Sequence, residues 1–174
     1  MKISLSSWTN IDFEFLNLAK AANISIISYG IESADEEILK FYKKSIDLAK
    51  IKELIEYANK IGLFSVGNFM FGAPMESEKS IKKTFDYILS IPFDNVNLKI
   101  LSYMAGADIY NALTRTYKNN DVRFILACQE NGLTNYKLSE LTKMISTFYI
   151  EFQQTNHFNF NKKIKNSPPY QLSN

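Results

Sequence analysis

The chain has 174 residues, 46% of them hydrophobic, and a formal net charge of +2. That is length enough for one domain with its own core, and no segment approaches the ~18 uninterrupted apolar residues of a membrane helix. Lysines spread along helical stretches leave no basic patch for nucleic acid, and the single cysteine, Cys128, excludes an intramolecular disulfide or a multi-thiolate metal site.

One thiol also fits a reducing, cytoplasmic compartment, and Met1-Lys2-Ile3-Ser4 carries no signal-peptide pattern. Residues 2–6 read as a short strand. Asn10-Ile11-Asp12 starts a helix whose apolar face is Phe13, Leu16, Leu18, Ala19 and Ala22, and Asn23 closes it. Residues 24–29 are rich in β-branched side chains and read as a buried strand. It runs into Tyr29-Gly30-Ile31-Glu32-Ser33, which delivers a carboxylate and a hydroxyl to the sheet edge where α/β proteins bind ligands. The plainer reading of that stretch is a strand-to-helix loop in which Ser33 or Asp35 caps the next helix.

A short helix follows from about Asp35 to Tyr42, with acids in its first turn, as the helix dipole favours. Asp47 caps a longer helix with Leu48, Ile51, Leu54, Ile55 and Ala58 at helical spacing, and Gly62 ends it. Leu63 to Phe71 is the next strand, leading into Gly72-Ala73-Pro74-Met75-Glu76-Ser77. Ser77 and Glu78 open a helix that lasts until Pro92. Residues 95–101 form a further strand, and a helix spans about 107–117. Strands alternating with helices of this length imply right-handed parallel crossovers. The expected fold is α/β: about four parallel strands with outer helices, as an open sheet or part of a barrel.

Beyond this, Asp121 to Glu130 reads as a helix stopping at Asn131-Gly132. Residues 138–153 form a long helix with a seam of Leu138, Leu141, Ile145, Phe148 and Phe152, suited to packing on the domain more than to dimerisation. The tail, 156–174, is rich in Asn, Lys, Ser and Pro. His157 in it is more often a solvated histidine than a catalytic one. The Asp35-Glu36-Glu37 run reads as a solvated face. No nucleophile elbow, phosphate-binding loop or metal-ligand spacing is present.

Three motifs stand in order: Gly30-Ile31-Glu32-Ser33, then Lys43-Lys44, then Phe69-Met70-Phe71-Gly72-Ala73-Pro74-Met75-Glu76-Ser77. Their order and spacing resemble the C-terminal half of the radical S-adenosylmethionine (radical SAM) enzymes, in the branch that often carries a cobalamin-binding domain upstream. The similarity spans roughly residues 9 to 115. It implies a partial (β/α) barrel over 1–118, a helical extension over 119–155 and a tail over 156–174.

By the same resemblance, Glu32 matches a polar residue at a strand end that contacts S-adenosylmethionine, with Ser33 beside it. Lys44 matches a basic residue that meets the methionine carboxylate, where a point charge suffices. Asn68 matches a polar position near the ribose hydroxyls, and Gly72 the glycine that lets backbone approach the ligand. Glu76 matches a loop carboxylate that also caps the next helix, and Leu101-Ser102 a place where backbone lies near the adenine. In the family a 4Fe–4S cluster, held by Cys-x3-Cys-x2-Cys, donates an electron to S-adenosylmethionine, and a 5′-deoxyadenosyl radical abstracts hydrogen.

That cysteine loop, the first barrel strands and the glycine-rich segment are not in this sequence, and one thiol cannot ligate such a cluster. Ser102-Tyr103-Met104-Ala105-Gly106 stands where relatives carry Pro-x-Pro-Gly-Thr. The resemblance therefore implies a chain that supplies part of the S-adenosylmethionine cradle and barrel wall, inactive alone, with the missing N-terminal half as its partner in trans. The alternative is a stand-alone, non-catalytic binding domain that reuses the fold, with the 138–153 helix as its surface. Neither reading involves a membrane or nucleic acid.

Overall fold

The computed structural model describes residues 3–7, 11–113 and 124–155. Four strands build one parallel sheet: β1 (Ile3–Ser7), β2 (Ile24–Glu32), β3 (Phe64–Phe71) and β4 (Asn95–Ile100). They lie side by side in chain order, each paired with its sequence neighbour. The sheet is open, and the fold is α/β as the alternation predicts.

The crossovers are α1 (Phe13–Ala21) between β1 and β2, α2 (Glu36–Phe41) and α3 (Leu48–Lys60) between β2 and β3, and α4 (Glu78–Ser90) between β3 and β4. Each begins on an oxygen that accepts orphan backbone N–H groups. Asp12 takes Phe15 N at 2.8 Å, Asp35 takes Glu37 N at 3.0 Å, Asp47 takes Lys50 N at 3.0 Å and Ser77 takes Ser80 N at 3.2 Å. Asp35, not Ser33, is the cap of α2.

Strand alternation divides the sheet into two faces. Ile27, Tyr29, Phe69, Phe71 and Val96 point to one side and form a single buried cluster with Leu16 of α1, Leu54 of α3 and Ile88 of α4. The opposite face follows from the same register: Ser6 pairs with Ser28, Gly30 with Asn68, and Asn68 with Asn97. Of that row Ser4, Ser6, Asn97 and Lys99 are exposed. Helices therefore cover one face, and the other is mixed, with Ile26, Phe64, Val66 and Met70 beside these polar residues and Phe64 and Val66 buried.

After β4 the chain differs from expectation. Residues 121–130, expected to be helical, contain β6 (Phe124–Leu126), which pairs antiparallel with β5 (Ser102–Met104), followed by a 3-10 turn at Gln129–Asn131. A three-residue apolar run suits strand or helix alike, and pairing with β5 decides it. The helix expected at 107–117 is seen as α5 (Asp108–Leu113). Its continuation, the boundary at 118 and the 156–174 tail with His157 lie outside the described residues.

The last helix, α6 (Leu138–Gln153), lies where the seam pattern puts it. Leu141, Phe148 and Phe152 are buried in the main cluster, Ile145 is half-buried against it, and the Tyr149 hydroxyl meets Asn95 Oδ1 at 3.2 Å. No described helix is long and apolar enough to cross a membrane.

Candidate functional site

The C-terminal ends of β2 and β3 gather the polar side chains. Glu32 ends β2 at φ 70°, a left-handed conformation that costs a non-glycine residue about 1–3 kcal/mol. The pairing with β3 shifts register there: Gly30 faces Asn68, and Glu32 faces Phe69. This irregularity re-aims the Glu32 side chain at the sheet edge.

Lys44 follows the turn after α2. Its ammonium donates to Glu32 Oε1 at 2.8 Å and to the Gly30 carbonyl at 2.7 Å. The two charged side chains are 20% and 15% exposed, so the pair is half-sheltered. Lys43, at φ 54°, turns the other way and reaches Asp108 at 2.9 Å on the open surface. Asn68 stands beside Gly30 in register. Its amide donates to the Tyr29 carbonyl at 3.2 Å, and its Oδ1 accepts from Asn97 Nδ2 at 2.8 Å. Lys44 thus ties Glu32 to the Gly30 carbonyl, while Asn68, in register with Gly30, is bonded to Tyr29 and Asn97.

Ser33, Gly72 and Glu76 are engaged in the scaffold. Ser33 is 1% exposed, its hydroxyl lies 3.2 Å from Thr84 Oγ1 on α4, and it accepts from Asp35 N at 3.1 Å. Gly72 has φ 104°, and a Cβ there would sit 3.1 Å from Ala127 Cβ and 3.2 Å from its carbonyl. The segment after β6 therefore occupies the space that the glycine leaves. Glu76 is 3% exposed, and its Oε2 accepts from Gly72 N and from Ala73 N. Burial pushes its carboxyl up to about 7 despite those two donors. At Leu101 the backbone is also used: its N–H donates to the Phe71 carbonyl at 2.7 Å, and its carbonyl accepts from Ala127 N at 2.9 Å.

Three buried oxygens in this region have no hydrogen-bond partner among the described residues: Glu76 Oε1 and the hydroxyls of Tyr42 and Tyr103. Burial holds both phenols protonated, Tyr103 at about 12, and Tyr42 feels the charges of Glu76 and Glu32 as well. Buried polar atoms nearly always have a partner, so water or a polar ligand suits this place. The residues therefore fit S-adenosylmethionine in part: Lys44, Glu32 and Asn68 offer charge and amide groups, and unpartnered oxygens lie nearby. They do not fit a 4Fe–4S cluster. Cys128 is the one thiol, it is buried, and no metal-ligating group of three or more side chains occurs among the described residues.

Asn97 and Thr84 were not singled out from sequence. The alternation Asn95, Asn97, Lys99 in an otherwise apolar strand is the signal that finds Asn97. Thr84 has none, because it lies on a helix and matters only through the loop it meets.

Known proteins resemble this chain in sequence and in fold. Residues 3–88, just under half of the chain, match the model of the Radical SAM superfamily. A proposed methylthiotransferase of Methanocaldococcus jannaschii is 33% identical over 90 residues, which is 52% of this chain and 20% of the relative. Coproporphyrinogen III oxidase of Escherichia coli, a radical SAM enzyme, superposes with a TM-score of 0.61 at 16% identity over 87% of this chain and 32% of that one. A radical SAM methyltransferase of Kitasatospora setae, solved with cobalamin and a 4Fe–4S cluster, gives 0.53 at 16% identity over 58% and 21%. At such identities the two structures speak for the fold. The chain spans about a fifth to a third of the length of the proteins it matches.

Proposed function

We propose, from the premise that residues 3–88 belong to the radical SAM superfamily, that this chain forms one wall of a (β/α) barrel and part of an S-adenosylmethionine cradle, and is not catalytic by itself. The observation that carries this is the Lys44 ammonium, held between the Glu32 carboxylate and the Gly30 carbonyl at the C-terminal edge of the parallel sheet. A lysine so placed can exchange an internal carboxylate for that of an incoming methionine group. Asn68, locked by Tyr29 and Asn97, presents a fixed amide to a sugar hydroxyl. When bound, S-adenosylmethionine supplies the reactive carbon–sulfur bonds.

The three thiolates of a 4Fe–4S cluster cannot come from these residues, so they come from outside this sequence, and we infer that an N-terminal half acting in trans is one source. The second face of the sheet supports that reading in part. Parallel sheets are normally covered on both sides, and on this face Ser4, Ser6, Asn97 and Lys99 are exposed beside the buried Phe64 and Val66, which suits a face that lines a shared interior. A specific observation favours the alternative, a non-catalytic binding domain. Ser33, Gly72 and Glu76 serve the scaffold, as they would in a fold kept for another purpose.

The test is calorimetric titration of the full chain with S-adenosylhomocysteine, beside anaerobic reconstitution with iron and sulfide. Binding that is lost in Lys44→Met and weakened in Asn68→Ala is expected, with no stoichiometric cluster and no 5′-deoxyadenosine from the chain alone. Titration heats indifferent to Lys44 reject the cradle. A cluster formed by the chain alone rejects the need for a partner.

A further inference from the structure

On the helical side of the molecule, far in sequence from Glu32 and Lys44, α4 and α6 enclose a groove of about 660 Å³. Its floor is apolar. Phe85 of α4 and Phe148 of α6 stack with ring centroids 3.8 Å apart and planes at 4°, and Met144 lies beside them. Along α6 the lining residues are Glu140, Lys143, Met144, Thr147, Phe148 and Glu151. Their spacing of three and four marks one continuous stripe of the helix. It shares Phe148 with the edge of α6 that buries Leu141 and Phe152 in the core. A helix that is already anchored therefore keeps Glu140, Lys143, Thr147 and Glu151 exposed along the groove, with no described residue laid over them.

The rim is acidic. Glu78 stands at one end, Glu140 beside Tyr136, and Glu151 at the other end, against one lining cation among the described residues, Lys143. The acidic character is felt inside the groove: Tyr136 holds its proton more tightly than usual, first through burial and then through the charges of Glu78, Glu76 and Glu140. The chain as a whole carries +2, so this groove has the opposite sign to the molecule around it. A cation drawn here is drawn by the groove and not by net charge.

We propose that the α4–α6 groove is a docking surface for a basic amphipathic helix of another polypeptide, apolar side chains against the half-buried Phe85 and Met144 and lysine or arginine side chains against Glu78 and Glu151. The stripe from Glu140 to Glu151 is about 16 Å long at 1.5 Å per residue, or three turns. That is the footprint of a helix laid between two others, with anchors at spacings of three, four and seven. Apolar floor and carboxylate rim together suit a cation carried on an apolar stem, the stem against Phe85 and Met144 and the charge at the carboxylates.

The probe is a fluorescein-labelled amphipathic peptide of leucine and lysine, about 14 residues or four turns long, added to the full chain at low and high salt and read by anisotropy. A leucine–glutamate peptide of the same pattern is its counterpart. Glu78→Lys with Glu151→Lys is expected to weaken binding at least tenfold. Glu140 is left in place because it accepts from Lys137 N and so supports the start of α6. Glu14→Lys with Glu36→Lys makes the same change of charge on exposed positions of α1 and α2, and is expected to change binding less than twofold. Met144→Glu weakens binding through the floor alone, with far-UV circular dichroism unchanged. Equal binding of the acidic peptide, equal loss in the control pair, or no binding of the basic peptide overturns the proposal. So does a dimer of the chain that the Glu78 and Glu151 substitutions dissolve, because the groove is then taken by a second copy.

Discussion

Lys44 closes on Glu32 at 2.8 Å while its ammonium also caps the carbonyl of Gly30, two residues before its partner. One side chain thus fixes both ends of the register shift that terminates β2. A double-mutant cycle with Lys44→Met and Glu32→Gln measures the pair. Either change alone is expected to cost about 0.5–1.5 kcal/mol, the net worth of a hydrogen bond, because water still reaches the group left behind. The coupling between them is expected near 0–1 kcal/mol, as for ion pairs with access to water. Urea unfolding of the four proteins gives the number, and a coupling well above it makes the pair a stability element.

Glu76 predicts a pH dependence. Its folded carboxyl is raised from 4.5 to about 7, so between those values the folded state binds more protons than the unfolded chain. This group therefore makes the protein most stable below about pH 4.5, lowers its stability as pH rises to about 7, and adds no further change above. The swing is about 3 kcal/mol at 1.36 kcal/mol per unit. Glu76→Gln keeps an acceptor for Gly72 and Ala73 and does not ionise. Relative to the parent it is expected to gain stability from pH 5 to 8, by thermal unfolding across buffers. Parallel pH curves for the two proteins refute the assignment.

Thr84 joins α4 to the loop after β2 through Ser33 Oγ at 3.2 Å and Ala34 N at 3.1 Å, while its own hydroxyl donates to the Ser80 carbonyl. Thr84→Val keeps the shape and removes all three contacts. A loss of about 1–3 kcal/mol is expected from the stranded Ser33 hydroxyl and Ala34 N–H. Hydrogen exchange at Ala34 and Asp35 should rise with it, which separates loop release from general destabilisation.

Two glycines are expected to resist alanine for different reasons. At Gly72 the backbone is left-handed and Ala127 lies at 3.1 Å, so strain and contact add. At Gly67 the contact is with rings: a Cβ would stand 2.7 Å from Phe69 and 2.9 Å from Phe93, inside their edge-to-face pair. Each substitution is expected to cost about 1–3 kcal/mol by overpacking, seen as a lower melting temperature. A neutral Gly67→Ala means that the ring pair can open.

The sheet was legible because its strands are dense in β-branched and aromatic residues and each crossover helix carries its own cap. Residues 124–126 were not, since Phe-Ile-Leu has no preference that survives so short a run, and β5, its partner, lies across the chain. At the site, the residue types at 32, 44 and 68 were readable, and so was the capacity of Glu32 and Lys44 to pair. What they touch was less so. The capping of Gly30 by Lys44 depends on the φ of 70° at Glu32, and a backbone outlier of that kind leaves no mark in residue type. Ser33 shows the converse: a hydroxyl beside a ligand motif looks available until α4 brings Thr84 against it.

The order of the strands also bears on how the chain comes to be folded. Since β1, β2, β3 and β4 lie in the sheet as they lie in the sequence, no strand has to wait for a later one before it can pair on its leading side. Each strand–helix unit can settle on the one already made, so most loop closures span one crossover only. Synthesis from the N-terminus at roughly 5–20 residues per second leaves seconds between successive units. The nascent chain can therefore lengthen its sheet as it emerges, and β4, held under α6, is the last edge to be sealed.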